Sequence, residues 1–484
     1  MAGPTVGDMS GQGVRWTAEQ VLALAPDASS RKSGSRLAAP GPWSEAGSGD
    51  DAVWGLCKGS GRTPYQAVVD LAGGDGPGYR CSCPSRKFPC KHALALLLLW
   101  AGAEPCVEEG AEPPPWAAEW LNGRRARASA RAAGAGATGG NGSSDGDGAA
   151  AGRGAGDPQA ARRRAERRTA AITAGATELE QRLADLLGRG LAGADGAGYG
   201  EWEQTAARMV DAQAPGLAGR VRELGAVAAS GPGWPDRLLA ECALLHLLAR
   251  GWRAAHDGGL PEPLAATVRA RTGLNLDAAA VLAEAADADG SLRRDAWLVL
   301  AQRDTEEGRL TARRIWLHGR ASGRPALLLA FGAAGRAPQI TLPVGTVLDA
   351  DLAYYPGAAP LRAALGERRS APSAGFVPPG GSTDDALAAY GAALAEDPWL
   401  DGWPVVLRDV VPVRPAERGG WQLADADGDA ALPVAPAVPE SRLWRLVALS
   451  GGGPVTVFGE CGHRGFAPHT AWAPGPGETT AVPL

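Results

Sequence analysis

The sequence predicts a multidomain α+β chain: a small β-sheet plus helix, then a helical region, then a β-rich C-terminal region. Three observations predict this. Residues 53–57, 65–70 and 79–83 are short runs rich in β-formers and precede an apolar run at 93–100. Between 161 and 290, leucines recur at helical intervals. From 291 onward, β-rich runs alternate with Gly-containing turns. The length of 484 residues leaves room for several domains with their own cores. The expected boundaries are 1–120 for the first unit, 121–160 for a flexible Gly/Ala/Arg-rich linker, 161–290 for the helical region and 291–484 for the β-rich region.

In the first unit, a Gly-rich turn at 73–77 leads into residues 79–83, so a small antiparallel sheet followed by a helix is the simplest reading. Its last strand carries the most informative residues of the chain. Cys81-Ser-Cys83 is followed by six residues and then Cys90-Lys-His92. Three thiolates and one imidazole within a dozen positions form a complete tetrahedral ligand set for zinc. Residues two apart on a strand share a face, so Cys81 and Cys83 can present both sulfurs in one direction. Pro84 and Pro89 bracket a loop that swings the chain back, and Cys90 and His92 open the apolar helix. Cys81 and Cys83 are too close on an extended strand to bond each other comfortably, which disfavours a disulfide. Four protein ligands leave no open position, so the expected ion is one structural Zn2+ and not a catalytic one. So small a sheet has little core, and metal binding, worth about 10–16 kcal/mol gross in zinc-finger peptides, would hold it folded.

Cys-x-Cys, a variable gap and Cys-x-His, preceded by short strands and followed by an apolar helix, resembles the SWIM zinc finger. All four ligand positions, Cys81, Cys83, Cys90 and His92, match that pattern. The resemblance covers residues 50–105, and beyond it the chain resembles uncharacterised bacterial SWIM proteins. It implies a zinc domain that serves DNA binding or protein contacts. It also implies an accessory role beside an AAA-type ATPase of the MoxR class and a von Willebrand A-domain protein.

Composition narrows the remaining possibilities. Gly (69) and Pro (38) together exceed a fifth of the chain, so loops and turns are plentiful. Lys32, Lys58, Lys87 and Lys91 are the only lysines, and arginine supplies every other positive side chain. A net charge of −5 argues against a protein that coats nucleic acid with its whole surface. No basic start followed by an apolar core opens the sequence, and the run at 93–100 is far shorter than the ~20 residues a bilayer requires. A soluble, cytoplasmic protein without a membrane partner is expected. Cys57, Cys106, Cys242 and Cys461 are scattered and suggest no disulfide framework.

The stretch at 121–160 has almost nothing to bury and reads as a linker. Arg124, Arg125, Arg127, Arg131 and Arg153 punctuate it, and Arg162, Arg163, Arg164, Arg167 and Arg168 follow. A basic arm of this kind can touch phosphates, although a solvated linker is the simpler reading. In the helical region, Thr177-x-x-Glu180 has capping-box spacing, with Leu179, Leu183, Leu186 and Leu187 on one face. Leu238, Leu239, Cys242, Leu245 and Leu248 form a second stripe, on which Cys242 and His246 read as core residues. Breaks at 231–235 and 258–261 separate helices. Further on, 313–318 and 326–331 read as a hairpin, as do 443–449 and 454–458. Short strands are expected at 404–407 and 421–423, with one helix near 383–395.

Several motifs fail on context. Gly134-x-Gly136-x-x-Gly139 and Gly142-x-Ser144-x-Gly146 lie in the low-complexity stretch, without the strand and helix their chemistry needs. Residues 425–429 lack the glycine position and glutamate of a calcium loop and read as a turn. Cys461-Gly-His463, with His469 nearby, copies only half the zinc pattern. With His92 assigned to the metal, no remaining histidine has a recognisable catalytic partner, so no enzyme and no small-molecule substrate are expected.

Two functional readings remain. In the first, zinc only holds the fold and the larger regions act as an interaction module for a protein partner, consistent with sixteen tryptophans that can anchor interfaces. In the second, the basic zinc loop binds nucleic acid. Six basic side chains face two acidic ones between 53 and 100, and Arg80, Arg86, Lys87 and Lys91 flank the ligands beside Phe88. The acidic run Glu104, Glu108, Glu109 and Glu112 weighs against that attraction.

Overall fold

A computed structural model describes residues 16–25, 28–49, 51–59, 63–71, 77–85, 89–134, 158–191, 198–287, 291–307, 310–333, 338, 340–370, 372–415, 420–473 and 480–484. The first unit is a sheet of β1 (Trp43–Gly49), β2 (Ala52–Cys57), β3 (Tyr65–Asp70), β4 (Gly78–Cys81) and β5 (Val107–Glu109). Its order is β4-β3-β2-β1-β5, antiparallel except where β5 runs parallel to β1. β2 is buried along nearly its whole length because both faces of the sheet are covered. On one face lies α3 (Lys91–Ala101), itself wrapped by α1 (Ala18–Ala23) and α2 (Ala28–Leu37). This explains why Leu94, Leu96, Leu97 and Leu99, which point in all directions from one helix, are all buried. On the other face, Ala117 and Leu121 of α4 (Pro115–Gly134) pack on Ala52, Trp54 and Val68.

Where a linker is expected from 121, residues 121–134 are helical, and Leu121 and Arg124 join this part of α4 to the sheet. Its apolar stripe of Ala117 and Leu121 is only two residues deep in sequence and is masked by the arginines that follow. The two glycine motifs at 134–139 and 142–146, apart from Gly134 itself, and Arg153 lie outside the described residues.

The helical region comprises α5 (Pro158–Arg189), α6 (Gly198–Asp211), α7 (Pro215–Ala228), α8 (Trp234–His256), α9 (Glu262–Thr272) and α10 (Ala278–Asp287). Leu179 and Leu183 of α5 join Met209, Leu217, Leu224, Leu238, Cys242, Leu245 and Leu248 in one core. The expected cap at Thr177 is overturned: it lies inside α5, where its hydroxyl donates to Thr173 O (2.9 Å). A Thr-x-x-Glu spacing signals a cap only where the preceding residues cannot continue the helix. His246 is likewise not a core residue, for its side chain is half exposed, with Nδ1 3.5 Å from Glu180 Oε1.

In the C-terminal region, β6 (Leu292–Glu307), β7 (Leu310–Gly319), β8 (Pro325–Ala333), β9 (Thr346–Tyr354) and β10 (Arg362–Arg368) pair in the order β10-β8-β7-β6-β9. β9 also pairs with β10, so the five strands close into a barrel. β11 (Ser373–Ala374) extends β9 at one side. The barrel encloses Trp297, Ile315, Leu317, Leu328, Leu348 and Leu352. A second six-stranded sheet follows, of β12 (Trp403–Val413), β13 (Gln422–Asp425), β14 (Ala431–Pro433), β15 (Val455–Gly462), β16 (Gly465–Ala473) and β17 (Thr480–Pro483). It is flanked by α11 (Thr383–Glu396) and α12 (Glu440–Ser450). Its Phe458 and Trp472 pack on Leu298, Leu300 and Trp316 outside the barrel.

Helix α12 replaces the strand expected at 443–449. The run is short and apolar, which suits a strand or a helix equally, and its ends decide between them. Pro439 and Glu440 open it, Leu443 and Leu446 are buried three residues apart, and Gly451 closes it in the left-handed conformation (φ 59°). The hairpin at 313–318 and 326–331 is present as β7 and β8.

Candidate metal centre

Cys81 ends β4, where its backbone pairs with Ala67 of β3. The residue between the first two cysteines is clamped: Ser82 N donates to Gln66 O (3.0 Å), and Gln66 N donates to Ser82 Oγ (2.9 Å). This double link fixes the chain as it leaves the strand and so aims Cys83. Cys90 occupies the N-cap of α3 in an extended conformation (φ −74°, ψ 168°), and His92 lies in the first turn. The sequence builds that turn because a strand-ending loop meets an uninterrupted helix-forming run at Lys91.

The four ligand atoms all lie within 4.8 Å of one another, and Cys81 Sγ stands 3.7 Å from His92 Nδ1. Tetrahedral Zn–S and Zn–N bonds demand ligand separations of about 3.5–3.8 Å, so the cluster fits the ion with small adjustments. Tyr65 lies against the His92 ring, with centroids 4.8 Å apart at 37°, and holds the imidazole in place. Cys90 and His92 are buried, whereas Cys81 and Cys83 are half-buried. The set is three sulfurs and one nitrogen, which suits a borderline-soft ion, and the ligands belong to one short segment.

Electrostatics prepare the site. The hydrogen bond from Cys81 is the largest influence on Cys90 and lowers it to about 4, with help from His92 and the backbone N–H groups at the start of α3. The same hydrogen bond, reinforced by burial, raises the Cys81 thiol. Three thiols crowded together cannot all ionise without a cation, and a divalent ion supplies that charge. Cys57, in β2, is buried beside the cluster, where burial pushes its thiol up and Lys91 partly offsets that. Nothing in its spacing from the motif marks Cys57 as a neighbour; the β2–β3–β4 pairing brings it there.

The predicted contact residues separate. Arg80 and Lys91 are exposed on either side of the ligands, and Arg86, Lys87 and Phe88 lie outside the described residues. Tyr79 faces the core, and its buried hydroxyl has no partner among the described residues. A cleft of about 390 Å3 beside the ligands is lined by Ser29, Ser30, Ser33, Ser85, Lys91 and His92. The serines of α2 were invisible in the motif because only the packing of α2 on α3 brings them there. The half-motif at the C-terminus does not assemble: Cys461 is in the core, His463 is exposed and His469 is held between Arg303 and Glu460.

Two family models match the chain. The SWIM zinc finger covers residues 67–101, and the SWIM-associated four-helix bundle domain covers residues 167–272. The first spans β3, β4 and α3 with all four ligands, and the second spans most of α5 together with α6 to α9. No curated protein and no solved structure matches the chain. No helix among the described residues is long and apolar enough to cross a membrane.

Proposed function

In a chain that carries a SWIM zinc finger and its associated four-helix bundle, we propose that zinc acts as a structural staple and that the protein works as an interaction adaptor. One observation carries the structural role: Cys81, Cys83, Cys90 and His92 complete a tetrahedral set, so no coordination position is left for a substrate. The ion would tie the end of β4 to the first turn of α3. A surface anchor supports the adaptor reading. Trp444 is 52% exposed on α12 and meets Trp421 edge-on at 5.0 Å, with the Arg414 guanidinium over the Trp421 ring at 5.6 Å. Exposed tryptophan and arginine together are the side chains that dominate protein interfaces. The partner suggested by the SWIM resemblance is a MoxR-type ATPase with a von Willebrand A-domain protein.

A second reading has one observation in its favour. Lys91 and the serine hydroxyls of the zinc-side cleft can receive a phosphate, which would give the finger a nucleic-acid contact.

Elemental mass spectrometry should find one zinc per chain, absent from Cys81→Ser/Cys83→Ser. Size-exclusion chromatography of the full chain with the purified ATPase and A-domain protein should show co-elution. Trp444→Ala should weaken that co-elution, and zinc content should remain unchanged. A chain that binds no zinc would overturn the first part, and separate elution of all components would overturn the second.

A further inference from the structure

Helix α8 carries apolar residues on two opposite faces. Leu238, Cys242, Leu245, Leu248 and Trp252 face the bundle core and are buried. Leu239 and Leu247 face away from it and are 48% and 46% exposed, with Ala240 and Ala243 exposed between them. At about 100° per residue, Leu239, Ala243 and Leu247 form a stripe about 80° wide, opposite Leu245 and Trp252. Leu239 therefore leaves the core stripe in which its sequence neighbours placed it, because one step beyond Leu238 turns it toward solvent. A helix that is apolar on both faces ordinarily has both covered, and no element among the described residues covers this one.

The charges at the ends of the stripe say what fits it. Asp236 lies two helical turns before Ala243 and Arg250 two turns after it, on the same side of α8. Both are exposed, and neither has an ion-pair partner among the described residues. The positions three and four residues away on α8 offer neither of them an opposite charge. The series Asp236, Leu239, Ala243, Leu247, Arg250 reads the same from either end with the charge reversed. Such a face is complementary to itself turned end over end. A two-fold axis beside Ala243 would set Leu239 against Leu247 of a second copy and Asp236 against its Arg250, each pair occurring twice. Parallel helices would instead set Asp236 beside Asp236 and Arg250 beside Arg250, so the charges select the antiparallel arrangement. The small Ala243 at the crossing lets the two backbones approach closely. His246, at the edge of the stripe, is already engaged with Glu180 (3.5 Å) and would face only Ala240 across the axis.

We propose that the solvent face of α8 is a homodimer interface, on which a second copy of this chain docks its own α8 antiparallel about Ala243. From Asp236 to Arg250 the stripe is about 21 Å long at 1.5 Å per residue. That is short for an obligate interface, so the dimer forms and dissociates reversibly. An unrelated apolar helix would cover the two leucines and leave the self-matching charges unused. The inference does not rest on the adaptor reading, whose anchor Trp444 lies on α12.

The full chain is followed by sedimentation velocity over a concentration series. A monomer–dimer equilibrium is expected. Leu239→Ser/Leu247→Ser should weaken dimerisation at least about tenfold, because the apolar cover of both copies is lost. Asp236→Arg and Arg250→Asp, each made alone, place like charges at both ends of the contact and should each weaken it by about tenfold. The double reversal Asp236→Arg/Arg250→Asp restores opposite pairs and should dimerise within about threefold of wild type. All four positions are exposed, so circular dichroism should show every variant with wild-type helix content. A chain that stays monomeric at every concentration overturns the proposal, and so does a dimer that the leucine variant leaves intact. A double reversal no better than the single ones overturns the antiparallel register. Co-elution with the ATPase and A-domain protein is measured on the same variants. If the leucine variant loses that co-elution and wild type is monomeric, the stripe belongs to a different protein and not to a second copy. Trp444→Ala should dimerise like wild type, so either idea can fail alone.

Discussion

A Cβ placed on Gly78 would lie 2.4 Å from the Arg124 guanidinium carbon, so the bare backbone there is what lets Arg124 reach across the sheet. Its Nε then donates to Asp70 Oδ2 (2.8 Å), a carboxylate buried at the end of β3. An arginine in a Gly- and Ala-rich stretch reads as a solvated charge in sequence, and only the docking of α4 on the sheet turns it into a clamp. Arg124→Ala should destabilise the first unit by about 1–3 kcal/mol, since the buried carboxylate loses a charged donor. Urea denaturation measures it, and an unchanged midpoint would show that the pair contributes nothing. The zinc ligands stand at the opposite extreme. Their chemistry is complete within one dozen residues, so spacing alone identified them.

The turn at 319–324 that carries Arg320 and Arg324 is organised by Asp295. Burial by itself would raise this carboxyl, but hydrogen bonds from Ala321, Ser322 and Ala296 together outweigh burial and hold it below its ordinary value. The stabilisation is therefore fully present above the unfolded carboxylate pKa of about 3.9 and is lost as pH falls through the lowered native value. Amide exchange at Ala321 and Ser322 should accelerate in that acid window in wild type, and in Asp295→Ala already at neutral pH. Equal protection in both proteins would show that the turn holds itself. Gly319 belongs to the same device, as a Cβ there would come within 2.5 Å of Asp295 Oδ2 and 2.3 Å of Ser322 Oγ. At this scale, β7 and β8 were legible from their hydrophobic runs and the intervening Ser322-Gly323, and α12 was not. A seven-residue apolar stretch fits either period, and its helical state follows from its caps and from which side chains find a core.

Across the whole molecule, the bundle is not finished by its own segment. Trp399, between α11 and β12, is buried in the helical core and donates from Nε1 to Leu244 O (2.9 Å). Arg220 donates to Trp399 O (2.8 Å), and Arg271 pairs with the carboxylate of Asp397 two residues earlier. At the other end of the chain, Gln20 of α1 donates a buried hydrogen bond to Val344 O of the barrel region (3.1 Å). Trp399→Ala should destabilise the bundle by about 3–5 kcal/mol, the usual effect of emptying an aromatic site in a core. It should leave zinc content unchanged. Thermal unfolding followed by tryptophan fluorescence beside elemental analysis checks both, and loss of zinc together with the bundle would mean that the units unfold as one.

By itself the sequence determined the metal ligands, the helical nature of α3, α8 and α11 and the β7–β8 hairpin, because each depends on neighbours a few residues apart whose periodicity is printed in the chain. Tertiary structure alone decided that β10 returns to lie parallel with β8 and closes the barrel, that Cys57 sits beside the metal ligands, and that Trp399 completes a core begun more than two hundred residues earlier. Those outcomes depend on surfaces that match only after each element has formed. Local hydrophobic patterning states which face is buried, and the partner that buries it is chosen by shape and hydrogen bonding between distant segments.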